Sequence, residues 1–261
     1  MLFVVAHQDD ECFMSTRIAR DVARGHRVLL AVLTDGSAGC RNPKSRDAES
    51  RRVLARLGVE PRDILFVGTD ARIPDGKLHL HLDRAVDALN EAIGQTTVDR
   101  IFTCAYEGGH QDHDAAHVIA LALAAERGML HRTWQMPLYN GFRTRWKFFR
   151  IGTGPPPAGR NYTRSLAGEP VRSHAFLCRH YPSQWRSWIG LFPGLFFRLF
   201  VARRETVAAV LPIVPPRRPH PGDLLYERRA GLTFDEFCAS TGRFSRERIG
   251  DAAQSCVNSR R

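Results

Sequence analysis

Directly after an apolar opening run at residues 2–6, the sequence places His7-Gln8-Asp9-Asp10-Glu11. An imidazole and a carboxylate held at a strand end can share a divalent metal, and a neighbouring carboxylate left free can take a proton from water on that metal. The alternative is structural: Asp9 and Asp10 cap the following helix, where acids offset its unpaired N–H groups and its dipole. A second group, Gly108-Gly109-His110-Gln111-Asp112-His113, follows a later apolar run and brings two more histidines and a carboxylate to the same edge. Capping alone does not account for so many metal-competent or acid–base groups on two strand ends. His113 and His117 also stand at i and i+4, a spacing that binds metals on one helical face. His117 lies a full turn from the strand end and is the minor candidate.

Apolar runs at 2–6, 27–33, 64–67 and 101–105 alternate with helical periodicity at 13–24, 45–57, 82–93 and 112–127. This alternation predicts right-handed crossovers and an α/β, Rossmann-like open sheet, mostly parallel, with helices on both faces. Such a sheet binds ligands beyond the carboxyl ends of its strands, where the polar stretches 7–11, 34–39 and 107–113 all fall. After residue 130, proline and glycine cluster at 152–159 and 212–221, and aromatics gather at 185–200. With no long linker before it, this part is expected to be an irregular C-terminal extension of a single domain, 1–261. Residues 1–130 form its regular half with the candidate metal groups, and 131–261 a basic, aromatic-rich remainder.

A chain of 261 residues with 43% hydrophobic and 25% charged residues can bury a sizeable core, which excludes disordered, collagen-like and small disulfide-stapled classes. Six scattered cysteines without a C-x-x-C pair exclude a zinc knuckle and fit a reducing compartment. The first residues carry no basic region and turn polar at His7, so the cytoplasm is expected. The net charge of +11 is concentrated: residues 141–204 hold twelve Lys or Arg against one acid, Glu169. A one-sign surface attracts anionic substrates, lipid headgroups or nucleic acid. Within it, residues 186–204 join an aromatic run to arginines at both ends, too short and too interrupted to span a bilayer. They are expected to be either buried helices covering the sheet or an interfacial segment at the inner membrane surface.

A-H-x-D-D-E after the first strand, together with G-H-x-D-H after a later one, resembles the LmbE-like, or PIG-L, family of zinc-dependent de-N-acetylases. The resemblance runs through the first half and includes Thr34-Asp35-Gly36, Arg46-x-x-Glu49, Leu57-Gly58-Val59 and Pro74-Asp75-Gly76, with an echo in Tyr181-x-Ser183-Gln184. It implies that His7, Asp10 and His113 bind Zn2+, that Asp9 is the general base, and that protonated His110 assists the oxyanion or the leaving amine. It also implies that Arg46 and Asp75 contact substrate hydroxyls. The implied substrate is an N-acetylated amino sugar or glycoconjugate, with anionic and lipid-linked forms included. The family's usual proline between His and Asp is glutamine here twice, at Gln8 and Gln111, which bears on the stiffness of the turn.

Other readings of the same residues are weaker. Residues 34–39 match no complete phosphate-binding fingerprint, and no G-x-S-x-G elbow occurs. Cys12 and Cys40 read as packing residues, and Arg46 with Glu49 also fits a solvated helix pair. A different class of function is a binding protein on a hydrolase scaffold whose basic half docks anionic lipid or nucleic acid. Trp146, Phe148 and Phe149 among Arg143, Arg145, Lys147 and Arg150 partly satisfy a base-stacking pattern, but the same alternation suits a strand with one buried face.

Overall fold

The computed structural model describes residues 1–38, 43–145, 148–155, 161–167, 169, 171–211 and 217–258. Gly39, Cys40, Trp146 and Lys147, singled out above, lie outside them. The first half runs β1 (Leu2–Val5), α1 (Glu11–Ala23), β2 (Leu29–Val32), α2 (Pro43–Arg56), β3 (Ile64–Leu65), α3 (Val67–Asp70), α4 (Leu82–Ile93), β4 (Ile101–Cys104) and α5 (Gln111–Glu126). The second half adds β5 (Thr133–Met136), β6 (Tyr139–Asn140), β7 (Arg150–Ile151), β8 (Asn161–Ser165), α6 (Val171–Ala175), α7 (Trp185–Phe196), β9 (Arg204–Ala209), α8 (Leu225–Ala230) and α9 (Phe234–Asn258).

Among the described residues the main sheet has the order β3-β2-β1-β4-β5-β9-β8. Its first five strands are parallel, and β9 and β8 complete it antiparallel. The mostly parallel α/β class expected from the sequence is borne out. The strands β1 and β2 are apolar at every position because both faces are covered. Leu2, Val4, Leu29 and Ala31 pack with α4, α5 and α9, while Phe3, Val5, Leu30 and Val32 pack with α1, α2, α6 and α7. The helix α5 is buried almost all round, lying between the sheet and the helices α4 and α9.

Beyond residue 130, β5, β9 and β8 extend the same sheet. A separate two-stranded pair, β6 with β7, follows β5. Strand order reverses at β1, which has β2 on one side and β4 on the other. At such a switch point the loops after the two central strands diverge and leave a crevice. The residues that follow β1 and β4 are His7–Glu11 and Ala105–His110, so the topology delivers both chemical groups to one place.

Candidate active site

Donor atoms of three residues converge at the crevice. His7 Nδ1 lies 3.2 Å from His113 Nε2, His113 Nε2 lies 3.1 Å from Asp10 Oδ1, and His7 Nδ1 lies 3.6 Å from Asp10 Oδ2. Tetrahedral zinc with bonds of about 2.0–2.1 Å separates its ligands by about 3.3–3.4 Å. The observed separations, taken to one or the other oxygen of Asp10, are near that size, and two nitrogens with a carboxylate are zinc's usual donors, so these residues suit the metal. A second group, His7, Asp75 and His110, also lies within metal-binding range, through the other side of the His7 ring.

The capping role open to Asp10 is not the one it plays. It precedes α1 without a side-chain capping bond. Its Oδ2 instead turns back to accept N–H bonds from Ala6 at 3.2 Å and His7 at 2.9 Å. Burial alone would raise the pKa of Asp10, but His113 and His7 outweigh it and hold the carboxyl well below its ordinary range. Asp112 accepts backbone N–H bonds from Gly76 at 2.5 Å and Leu78 at 3.0 Å, and its Oδ2 lies 3.2 Å from His7 Nε2. A carboxylate at Nε2 fixes the imidazole tautomer and turns the Nδ1 lone pair to the triangle. The sequence reading gave Asp112 no separate role. Its place in G-H-x-D-H, one residue before His113, was the available signal.

Asp9 has φ 109, a left-handed backbone that side chains other than glycine rarely adopt. The loop is held in this conformation by Glu11, whose carboxylate accepts from Asp9 N at 2.9 Å, from Ser50 Oγ at 2.8 Å and from the Tyr181 hydroxyl. Burial pushes Asp9 up to about 8. The Arg46 guanidinium, 3.5 Å away, opposes that shift, and a cation at the adjacent triangle acts in the same sense.

Arg46 and Asp75, expected to meet substrate hydroxyls, meet each other at 2.7 Å, and Arg46 also donates to the Gln8 carbonyl at 2.9 Å. The solvated helix pair also open to Arg46 and Glu49 is not what forms: both are buried, and Glu49 accepts from Ser183 N and Oγ. Tyr181 and Ser183 of the second-half echo are therefore struts, while Gln184 lines the cavity over the site. Tyr181→Phe removes a donor from a buried carboxylate and is expected to cost about 2 kcal/mol of stability. Denaturant unfolding beside wild type checks it.

His110 precedes α5, and its Nδ1 accepts the Asp112 N–H at 3.2 Å. Burial first, then the neighbouring His7 and His113 rings, lower it to about 3. The sequence resemblance implies a protonated His110; its burial and the two neighbouring rings favour the neutral imidazole instead, and with Nδ1 accepting from Asp112 N the neutral ring carries its proton on Nε2. His117 donates from Nδ1 to the Cys104 carbonyl, 3.0 Å away, and belongs to neither metal-competent group.

The two glutamines that stand in place of proline tie their turns by side-chain bonds. Gln8 Nε2 reaches Asp47 Oδ1 at 2.7 Å, and Gln111 Nε2 reaches the Gly76 carbonyl at 3.3 Å. The turn after β4 needs both glycines. Gly108 has φ +69, and a Cβ on Gly109 would stand 1.9 Å from the Tyr139 carbonyl oxygen.

The cavity over these groups measures about 190 Å³. Besides the polar residues, Phe13, Tyr139, Ser187 and Leu191 line it, the last two from α7. The Tyr139 ring stands edge-on to His113, with centroids 5.2 Å apart. Glu107 fixes the segment that carries Tyr139 by accepting from Leu138 N at 2.7 Å and Asn140 Nδ2 at 2.8 Å. Sequence reasoning missed Phe13, Tyr139, Ser187 and Leu191, which carry no motif of their own.

Residues 2–124 match the family described as PIG-L, GlcNAc-PI de-N-acetylase, so the resemblance read from the motifs is borne out over that span. No curated protein sequence matches the chain. The fold is similar to the zinc-inhibited form of the teicoplanin deacetylase Orf2, with TM-score 0.61 and 17% identity over 79% of this chain and 96% of that one. It is also similar to the N,N'-diacetylchitobiose deacetylase of Pyrococcus horikoshii, with TM-score 0.55 and 16% identity over 79% and 81%. The 4-carboxy-2-hydroxymuconate hydratase GalB of Pseudomonas putida KT2440 shares the fold at TM-score 0.50 and 14% identity over 83% and 98%. At these identities the likeness is one of fold, and that fold carries more than one kind of chemistry.

Proposed function

We propose that this chain, whose residues 2–124 belong to the PIG-L family, is a zinc-dependent hydrolase that removes an N-acetyl group from an amino sugar or glycoconjugate. The observation that carries the reading is the triangle of His7 Nδ1, Asp10 and His113 Nε2, with Asp9 and His110 on the same cavity. The deacetylases of similar fold act on teicoplanin and on diacetylchitobiose, which supports an N-acetylated sugar.

His7, Asp10 and His113 would hold the metal, and Asp112 keeps the His7 tautomer that binding needs. Zinc supplies Lewis acidity when bound, making water a nucleophile at neutral pH. Asp9 takes the proton from the attacking water as the O–C bond forms at the amide carbonyl. His110 donates its Nε2–H to the developing oxyanion as a neutral imidazole. Collapse breaks the C–N bond, and Asp9 returns the proton to the departing nitrogen, giving acetate and a free amine. Arg46 keeps its charge against Asp9 and Asp75, so it positions the turn and tunes the base rather than titrating.

Because β5, β9 and β8 continue the sheet of the first half, we treat residues 1–261 as one catalytic unit. Cys12, Cys104, Cys178 and Cys238 are free thiols, which supports a cytoplasmic setting. Among the described residues no helix is long and apolar enough to cross a membrane, so any contact with the inner membrane surface is peripheral. Incubating the chain with N-acetylated sugars, nucleotide sugars and glycoconjugates, and assaying free amine and acetate in equal amounts, tests the reading. Release of neither from the whole panel counts against it.

A further inference from the structure

The helix α7 has two working faces. Trp188, Leu191 and Leu195 point inward, and Ser187 with Leu191 lines the catalytic cavity. Outward, Trp185 and Ile189 are exposed, Ile189 by 65%. The chain then passes through a π-helical turn, Phe197–Ala202, in which Phe197 and Val201 are each exposed by 59%. Phe176 joins this surface against the Phe192 and Phe196 rings, with centroids 5.7 and 6.0 Å apart. Five of the nine large apolar side chains exposed among the described residues thus fall within 176–201, a concentration a soluble surface does not need.

A cationic cavity opens beside this apolar surface. It measures about 420 Å³ and is lined by Arg56, His174, Phe176, Arg179 and His180, among others. Phe176 therefore belongs to both features. Burial first, and then the charges of Arg56, Arg179 and Arg52, hold the His180 ring below its ordinary range. Among the described residues none of these three guanidinium groups forms an ion pair. The buried His174 also lines the cavity, and its Nδ1 has no hydrogen-bond partner there. Arg56 lies ten residues along α2 from Arg46, about 15 Å by helix rise, so this cavity is separate from the catalytic one.

We propose that the outward face of α7 and the π-helical turn after it dock on an anionic lipid bilayer, with a headgroup phosphate seated among Arg56, Arg179 and His180. Aromatic and aliphatic side chains enter the headgroup boundary, and the arginines meet anionic phosphate in bidentate geometry. The surplus of positive charge in residues 141–204 acts in the same direction. Docking would hold the catalytic mouth beside the bilayer, because one helix serves both. The proposal is independent of the reaction, since its test reads partitioning and not turnover.

The test sediments the full chain with phosphatidylcholine vesicles, with and without phosphatidylglycerol. The expected result is binding to the anionic vesicles, weakened by salt, and none to phosphatidylcholine alone. Ile189→Glu with Phe197→Glu is expected to weaken partitioning more than tenfold at unchanged thermal unfolding. Arg56→Ala and Arg179→Ala should each weaken it about fivefold. In the unmodified chain, brominated lipid should quench tryptophan emission, and Trp185→Phe should remove most of that quenching. No sedimentation with anionic vesicles at low salt overturns the proposal. So does undiminished partitioning of the Ile189→Glu, Phe197→Glu pair, or salt-sensitive capture of a single-stranded oligonucleotide in place of vesicles.

Discussion

Asp9→Asn lowers turnover by about 10²–10⁴-fold while zinc stays bound. The amide keeps the size of the carboxylate and its contact with Arg46 Nη2, 3.5 Å away in the wild type, but it cannot take a proton from water. The triangle of donor atoms does not include Asp9, so the metal has no reason to leave. Turnover in single-turnover assays and metal content by plasma mass spectrometry check the two halves of the result separately. Loss of zinc in Asp9→Asn, with retention in Asp10→Asn, reverses the roles of the two carboxylates. Unchanged turnover removes Asp9 from the chemistry.

The second large effect is expected at His7. Its ring faces the triangle through Nδ1 and the Asp112 and Asp75 carboxylates through Nε2. His7→Ala therefore removes a donor and leaves two buried carboxylates without that partner. Zinc content should fall to background after gel filtration, and activity with it. Asp112→Asn should be milder, costing about 10–100-fold in zinc affinity, since it alters the orientation of a ligand and not the ligand itself. Retention of a full equivalent of zinc in both His7→Ala and His113→Ala would sink the ligand assignment.

The parallel half of the fold was legible because its strands are short apolar runs between periodic helices. Loop position then followed from the rule that ligands sit beyond carboxyl ends. The chemical groups after β1 and β4 were legible for a different reason: few residue types bind metals, and two such groups in register leave little else to explain. Tyr139, Ser187 and Leu191 carried no such mark, for a cavity wall is specified by shape, which many residues supply. The partners of Arg46 were hidden because Asp75 lies 29 residues away and only the tertiary turn brings them to 2.7 Å. The charge state of His110 was hidden too, since it depends on burial and on two other rings. In the second half, β8 and β9 pair antiparallel beside a parallel sheet, an arrangement set by the edge left open at β5.

The most direct measurement is amine release from an N-acetylated sugar by the chain stripped with a chelator and then titrated with zinc. The account predicts no activity in the stripped chain and full recovery at one equivalent, at the His7, Asp10 and His113 triangle. Activity in the stripped chain equal to that before chelation, or no amine from any N-acetylated sugar with zinc restored, would contradict it.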